Sequence, residues 1–303
     1  MMKHNYLLFL SGIILLTGLL GSCNLYNPAE PVPSYVHIQK IDLSTDTALE
    51  GSNSSKITDA WVYIDGHLLG AYELPVTFPV LEEGTHEIMI KAGIKVNGIS
   101  ATRAPYPFYD YFKQSVSLTR GAVTTMSPLV HYVSGLEWGN DVKIWKEDFE
   151  SNSGITLDTS ASGTDTNMFH RLITAGTTDP EVFEGKGSGV VYLDHKNTFF
   201  EYWSSKPPFV LPRGDAPVFL ELNYRCNFDF VVGLYAHSSA GTVKTRVLNV
   251  HPSEAWNKIY IYLSPTIAAT AGAGDYNIFF GMLNNSGSDG LYLNIDNIKL
   301  IHY

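Results

Sequence analysis

The chain has 303 residues, with 20 Lys and Arg against 30 Asp and Glu and a formal net charge of −10. That balance excludes the basic surface that nucleic acid or anionic headgroups require. Only 17% of the residues are charged and 13% are aromatic, with frequent Gly and Pro, a composition that favours short strands and turns over helices.

The amino end begins with Lys3 and His4, continues as an apolar run from Tyr6 to Leu20, and closes on Leu20-Gly21-Ser22-Cys23. A basic start, an apolar stretch and small residues at a cut site make a secretory signal. The run is too short for a permanent spanning helix, which needs about 20 residues. Leu20-Gly21-Ser22-Cys23 resembles the lipobox of bacterial lipoproteins. That resemblance implies removal of residues 1–22 as a signal peptide, lipidation of Cys23, and a membrane anchor in the outer membrane of the cell envelope, facing either the periplasm or the outside. Each buried acyl methylene contributes about 0.8 kcal/mol to such an anchor. Residues 23–34, with Pro28, Pro31 and Pro33, read as an extended tether. Acylation of Cys23 leaves no disulfide partner for Cys226, which reads as a small buried apolar residue.

A first domain is expected over residues 35–133. Asp65-Gly66 between apolar runs predicts a tight hairpin, with Val62 and Ile64 on one face and Trp61 and Tyr63 on the other. His86, Ile88 and Ile90 share a face of the next strand, and a last hairpin is expected to pair Phe112–Leu118 with Val123–Val130 around Thr119-Arg120-Gly121. Val62-Tyr63-Ile64-Asp65-Gly66, Gly70, Pro75 and Gly84-Thr85-His86 resemble the PEGA family over residues 60–93, while Ile94–Val130 exceeds the minimal module. The resemblance implies an immunoglobulin-like β-sandwich with a structural or interaction role. Residues 134–141, punctuated by Gly135 and Gly139 around Trp138, read as a linker.

The second domain, residues 142–303, repeats a period-two pattern. Val218/Leu220/Leu222/Tyr224, Phe228/Phe230/Val232/Leu234, Ile259/Ile261/Leu263 and Tyr276/Ile278/Phe280/Met282 are separated by turn-rich stretches, as in an all-β sandwich or jelly roll. Leu291, Leu293 and Ile295 are apolar at odd positions but Ile298 and Leu300 at even ones, so a bulge is expected near Asp296-Asn297. Glu147-Asp148-Phe149-Glu150, Gly185-Lys186-Gly187-Ser188 and Leu293–Ile298 resemble carbohydrate-binding modules with a galactose-binding-like jelly roll. The resemblance implies a structural Ca²⁺ held by Glu147 or Asp148 together with Asp296, acids of the kind that cation takes.

No catalytic constellation emerges. The histidines lack metal-site spacing, and Asp194-His195 are strand neighbours that point to opposite faces. Two aromatic clusters stand out: Tyr106, Phe108, Tyr109 and Tyr111 in a proline-stiffened stretch, and Tyr202 with Trp203. Exposed rings beside polar groups suit sugar stacking or protein contact. Ordinary core serves equally, since Phe200 and Tyr202 fall on one face and Phe199, Glu201 and Trp203 on the other. The chain therefore reads as a non-catalytic, membrane-anchored envelope lipoprotein whose jelly roll binds a glycan or a partner protein. The alternatives are a structural accessory subunit of an outer-membrane protein assembly, and a glycan-acting hydrolase using Glu147, Asp148, Glu201 or Asp296.

Overall fold

The computed structural model describes residues 32–134, 142–150, 156–159, 164, 166, 168–172, 178–206, 208–214, 216–270 and 272–303. The signal segment, Cys23, most of the tether and Trp138 of the linker lie outside the described residues. Within them the chain is all-β: its secondary structure is strands apart from one short helix, Ser264–Ala269. No helix there is long and apolar enough to cross a membrane.

Residues 34–130 form a sandwich. One sheet orders His67–Glu73, Asp59–Ile64 and Gly84–Lys95, and the long third strand then pairs both Arg103–Pro105 and Tyr111–Leu118. Opposite it lie Val76–Val80, Ser34–Ile38 and Val123–Met126, with a short parallel pair of Asp42–Leu43 and Leu129–Val130. The Asp65-Gly66 hairpin forms as expected, with φ of 47° and 83° at its two central positions, the left-handed pair that a tight turn between twisted strands needs. Val62, Ile64, Ile88 and Ile90 all turn into the core.

The last expected hairpin does not form. Tyr111–Leu118 pairs antiparallel with Gly84–Lys95, and Val123–Met126 instead lies parallel to Ser34–Ile38 in the other sheet. The turn at Thr119–Gly121 therefore carries the chain across the core. Alternation fixes which face of a strand is buried but not which neighbour it hydrogen-bonds, so both pairings satisfy the same pattern.

Residues 143–302 form a second, jelly-roll-like sandwich in which successive strands cross repeatedly between two sheets. The first sheet orders Phe169–Leu172, Gly187–Leu193, Leu291–His302, Val218–Cys226 and Ser253–Tyr262, with Lys143–Glu147 also on Leu291–His302. The second orders Thr156–Thr159, Phe199–Lys206, Asp275–Leu283, Phe230–Ser238 and Gly241–Val250. All four alternating apolar sets face the core between these sheets. The bulge falls where the phase change requires it: the register against Val218–Cys226 shifts between the Glu221↔Lys299 and Asn223↔Asp296 pairs, and Asn297 takes φ 48°.

The outer face of the first sheet is also buried. Phe219, Tyr260 and Ile301 belong to the same apolar cluster as Tyr106, Phe108 and Tyr109 of the first sandwich. The two sandwiches thus share an interface built on the proline-stiffened stretch, and among the described residues the outer face of the second sheet is not packed against the first sandwich.

Candidate functional site

Strand parity sends Phe200 and Tyr202 inward, where their rings stack at 5.2 Å, and sends Glu201 and Trp203 outward. Across the sheet, Tyr202 and Trp203 pair with Phe280 and Phe279, so Phe279 shares the outer face with Trp203. Gly233 pairs with Phe279, and Tyr235 with Asn277, on the following strand. The last strand sets Lys244 opposite Tyr235 and Arg246 opposite Gly233. One outer face therefore gathers Trp203, Tyr235, Phe279, Glu201, Lys244, Arg246 and His237.

These groups interlock. Trp203 meets Tyr235 edge-on at 5.4 Å, and Tyr235 meets Phe279 at 5.2 Å. The buried carboxylate of Glu201 accepts from Tyr235 Oη and from Lys244 Nζ, each at 2.5 Å. The Lys244 ammonium also lies 4.9 Å from the Phe279 ring centre, a cation–π placement. His237 Nε2 is 2.5 Å from Asn277 Oδ1, and the Asn277 amide donates to the Ser204 carbonyl. Gly233 is required here: a methyl at that position would overlap the Phe279 ring and the Thr245 carbonyl. With Phe279 filling the space over Gly233, the buried Tyr235 and Phe279 rings hold Trp203, half-buried, and Lys244, exposed, in place at the surface. Beside them a recess of about 550 Å³ is lined by Val231, Arg246, Asn249, Gly281 and Asp229. Two glycine- or valine-floored positions next to an aromatic edge and a mixed set of donors and acceptors suit a polyhydroxylated ligand with apolar faces.

Of the residues expected from sequence, Trp203 belongs to this face and Tyr202 does not, because it is part of the core. Tyr106, Phe108 and Tyr109 are 2%, 0% and 6% exposed, which withdraws them as a ligand platform: they seal the two sandwiches together. Tyr111 is half-buried and lines a separate depression of about 180 Å³ with Lys91 and Asp110. Tyr235, Phe279, Lys244 and Arg246 were missed. The signal for Tyr235 and Phe279 was their opposite parity to the apolar sets around them, which leaves an aromatic residue on the outer face.

The acids that the resemblance implies for Ca²⁺, Glu147 or Asp148 together with Asp296, each accept a backbone hydrogen bond. Glu147 Oε1 accepts from the Phe149 N–H at 2.8 Å, while Asp148 accepts from the Glu150 N–H at 3.2 Å and lies 3.8 Å from Lys146 Nζ. Asp296 is 1% exposed and accepts from Asn297 N–H at 2.7 Å. Burial pushes its pKa up to about 8, with the Glu184 and Glu150 charges adding to the rise against two backbone hydrogen bonds. Among the described residues no three His, Cys, Asp or Glu side chains gather as a metal site.

Asp194 and His195 behave as surface residues: Asp194 caps the Lys196 and Asn197 N–H groups, and His195 pairs with Asp289 at 2.6 Å. Cys226 is a buried free thiol whose pKa burial pushes up, as an apolar core residue should be.

No family model matches the sequence, and no curated protein matches it. Among solved structures the chain is similar to the CBM22-1 xylan-binding domain from Paenibacillus barcinonensis, with TM-score 0.35 and 10% identity over 52% of this chain and 92% of that one. It is similar to a cleaved adhesin domain of Lys-gingipain from Porphyromonas gingivalis, with TM-score 0.36 and 12% identity over 52% and 97%. A third is a family 29 carbohydrate-binding module complexed with mannohexaose, with TM-score 0.34 and 10% identity over 54% and 93%.

Proposed function

We propose that the chain is a non-catalytic glycan-binding lipoprotein of the cell envelope. Cys23 anchors it to the outer membrane, the first sandwich acts as a PEGA-like spacer, and the outer face of the second jelly-roll sheet binds sugar. The observation that carries this reading is the Trp203–Tyr235–Phe279 array, braced by Glu201 and Lys244, beside the recess at Gly281. An aromatic ring held by its neighbours buries a sugar's C–H face with little loss of rotamer freedom, while Lys244, Arg246 and Asn249 are placed to meet hydroxyls. The hydrolase alternative would need a second carboxyl facing Glu201 across a cleft. Both oxygens of Glu201 are instead engaged by Tyr235 and Lys244, which suits a bracing role.

A glycan array probed with the full mature chain in mild detergent tests the binding. We expect retention of a polysaccharide, and loss of at least about tenfold in affinity in a folded Trp203→Ala chain. Binding that survives Trp203→Ala undiminished would sink the assignment of this face. Radiolabelled palmitate should enter the wild-type chain and not Cys23→Ser; label in both, or in neither, would remove the anchor.

A further inference from the structure

A second recess, of about 140 Å³, opens where the two sandwiches meet, bordering the tyrosine-lined seal at Tyr260. Lys56, Lys95 and Asn97 enter it from the first sandwich, and His251, Asn257 and Lys258 from the second. Among the described residues lining it there is no Asp or Glu. In a chain with a net charge of −10 this is a local inversion of sign.

The cations there are incompletely matched by acids. Lys56 Nζ donates to the Asn257 side-chain carbonyl, a neutral partner, and the other end of that amide donates to Tyr224 Oη at 2.9 Å. Lys95 reaches Glu73 only at 3.4 Å, and Glu73 also serves Arg103 at 3.1 Å. Lys258 is buried and lies 2.9 Å from Glu221, whose charge also acts on Lys299. Burial and the nearby Lys95 charge both lower the Lys56 pKa, the mark of an ammonium short of counter-charge. Asn97 Oδ1 accepts from the Tyr262 N–H at 2.8 Å, which fixes the side chain and leaves its NH₂ as the remaining donor group. The charged groups of the lining are Lys56, Lys95 and Lys258, with His251 paired to Asp229 at 3.2 Å, over a wall made by Ile259, Tyr224 and Tyr260. At about 30 Å³ per water in the liquid, the space exceeds that of a bare ion's first few waters and admits a charged group with part of the ring that bears it.

We propose that this inter-sandwich recess binds the carboxylate or sulfate group of an acidic sugar. Lysine ammonium groups act as point charges without the fixed fork of arginine, so they accept either anion. Both sandwiches contribute, so the ligand clamps one against the other. The recess adjoins the outer-face one at Asn249 but includes none of Trp203, Tyr235, Phe279 or Lys244, and the inference does not rest on that face.

Isothermal titration of the full mature chain tests the inference, using a galacturonate trisaccharide, a chondroitin sulfate tetrasaccharide, sodium sulfate and neutral galactotriose as probes. Both acidic oligosaccharides are expected to bind, more weakly as NaCl is raised, and galactotriose to give no heat at this site. The double variant Lys56→Gln/Lys95→Gln should lose at least about tenfold in affinity. Should that variant fold poorly, Asn97→Asp keeps the acceptor for Tyr262 and adds a negative charge inside the recess, and should lose binding too. The loss caused by Lys56→Gln/Lys95→Gln should be as large in a Trp203→Ala background, which separates failure of this site from failure of the outer face. Equal affinity in the wild type and in a folded variant, or binding of sulfate without either oligosaccharide, overturns the proposal.

Discussion

The jelly roll repeats one chemical device on its two outer faces, with opposite consequences. On the first sheet Glu221 is fully buried, 2.9 Å from Lys258, and accepts from Tyr106 at 2.7 Å and Tyr132 at 3.1 Å. On the second sheet Glu201 accepts from Tyr235 and from Lys244, whose side chain is 36% exposed. Each is a carboxylate held by lysine and tyrosine. The first sandwich covers one and not the other. Where it covers, a second lysine, Lys299, is trapped as well and donates to the Ser52 carbonyl at 2.6 Å. Burial pulls the Glu221 pKa up, yet the charges of Lys258 and Lys299 with the Tyr106 hydrogen bond outweigh it and hold the group below its ordinary value. Burial pushes Tyr106, Tyr109 and Tyr132 well above the usual phenol range. The same residues thus form an interlock inside and a braced surface outside, because the energetic weight of a charge depends on whether water can replace its partner.

The largest expected effect breaks the buried copy. Glu221→Ala leaves Lys258 and Lys299 buried without their shared counter-charge and should destabilise the chain by about 3–5 kcal/mol in urea unfolding. A loss no greater than that of the surface equivalent would mean that burial does not distinguish the two.

Next comes pH. Burial and the Lys258 charge hold Lys299 at about 7, against 10.5 ordinarily. Between those values the unfolded chain carries the extra proton, so the penalty is full below pH 7 and fades as pH rises towards 10.5. Wild-type stability should therefore gain up to about 1.4 kcal/mol per pH unit from this group across that window. Lys299→Met should lack the rise; parallel profiles for the two chains between pH 7.5 and 9.5 would count against it.

The smallest effect belongs to the open copy. Glu201→Gln retains an acceptor for Tyr235 and frees a lysine that water can reach, so the stability loss should be about 1 kcal/mol by thermal melting. Its consequence should appear in glycan affinity, because Lys244 and Trp203 lose their brace. A melting temperature lowered as far as in Glu221→Ala would erase the contrast between the faces.

Much of the fold was legible from local pattern. Period-two alternation marked the four apolar sets of the second core, Asp65-Gly66 marked its hairpin, and the parity break before Ile298 located the bulge. Each is a short-range property, since successive side chains on a strand must point opposite ways. Pairing partners were not legible: Val123–Met126 reads equally as half a hairpin or, as found, the parallel neighbour of Ser34–Ile38. Nor was the fate of the Pro105–Phe112 stretch, since an aromatic residue stacks on sugar or on Phe219 and Tyr260 by the same physics.

Composition and periodicity alone settled that this chain is built of strands, where the Asp65-Gly66 turn falls, and that the four alternating apolar sets of the second domain enter its core. Tertiary structure decided which outer face is sealed and which stays open, that Tyr202 belongs inside and Trp203 outside, and that Glu201, Tyr235, Phe279 and Lys244 meet. Glu201, the Tyr235–Lys244 hairpin pair and Phe279 are separated by more than thirty positions and belong to four different strands, so no local rule brings all of them together. Only the pairing of the strands across the sheet brings them within a few ångströms of one another.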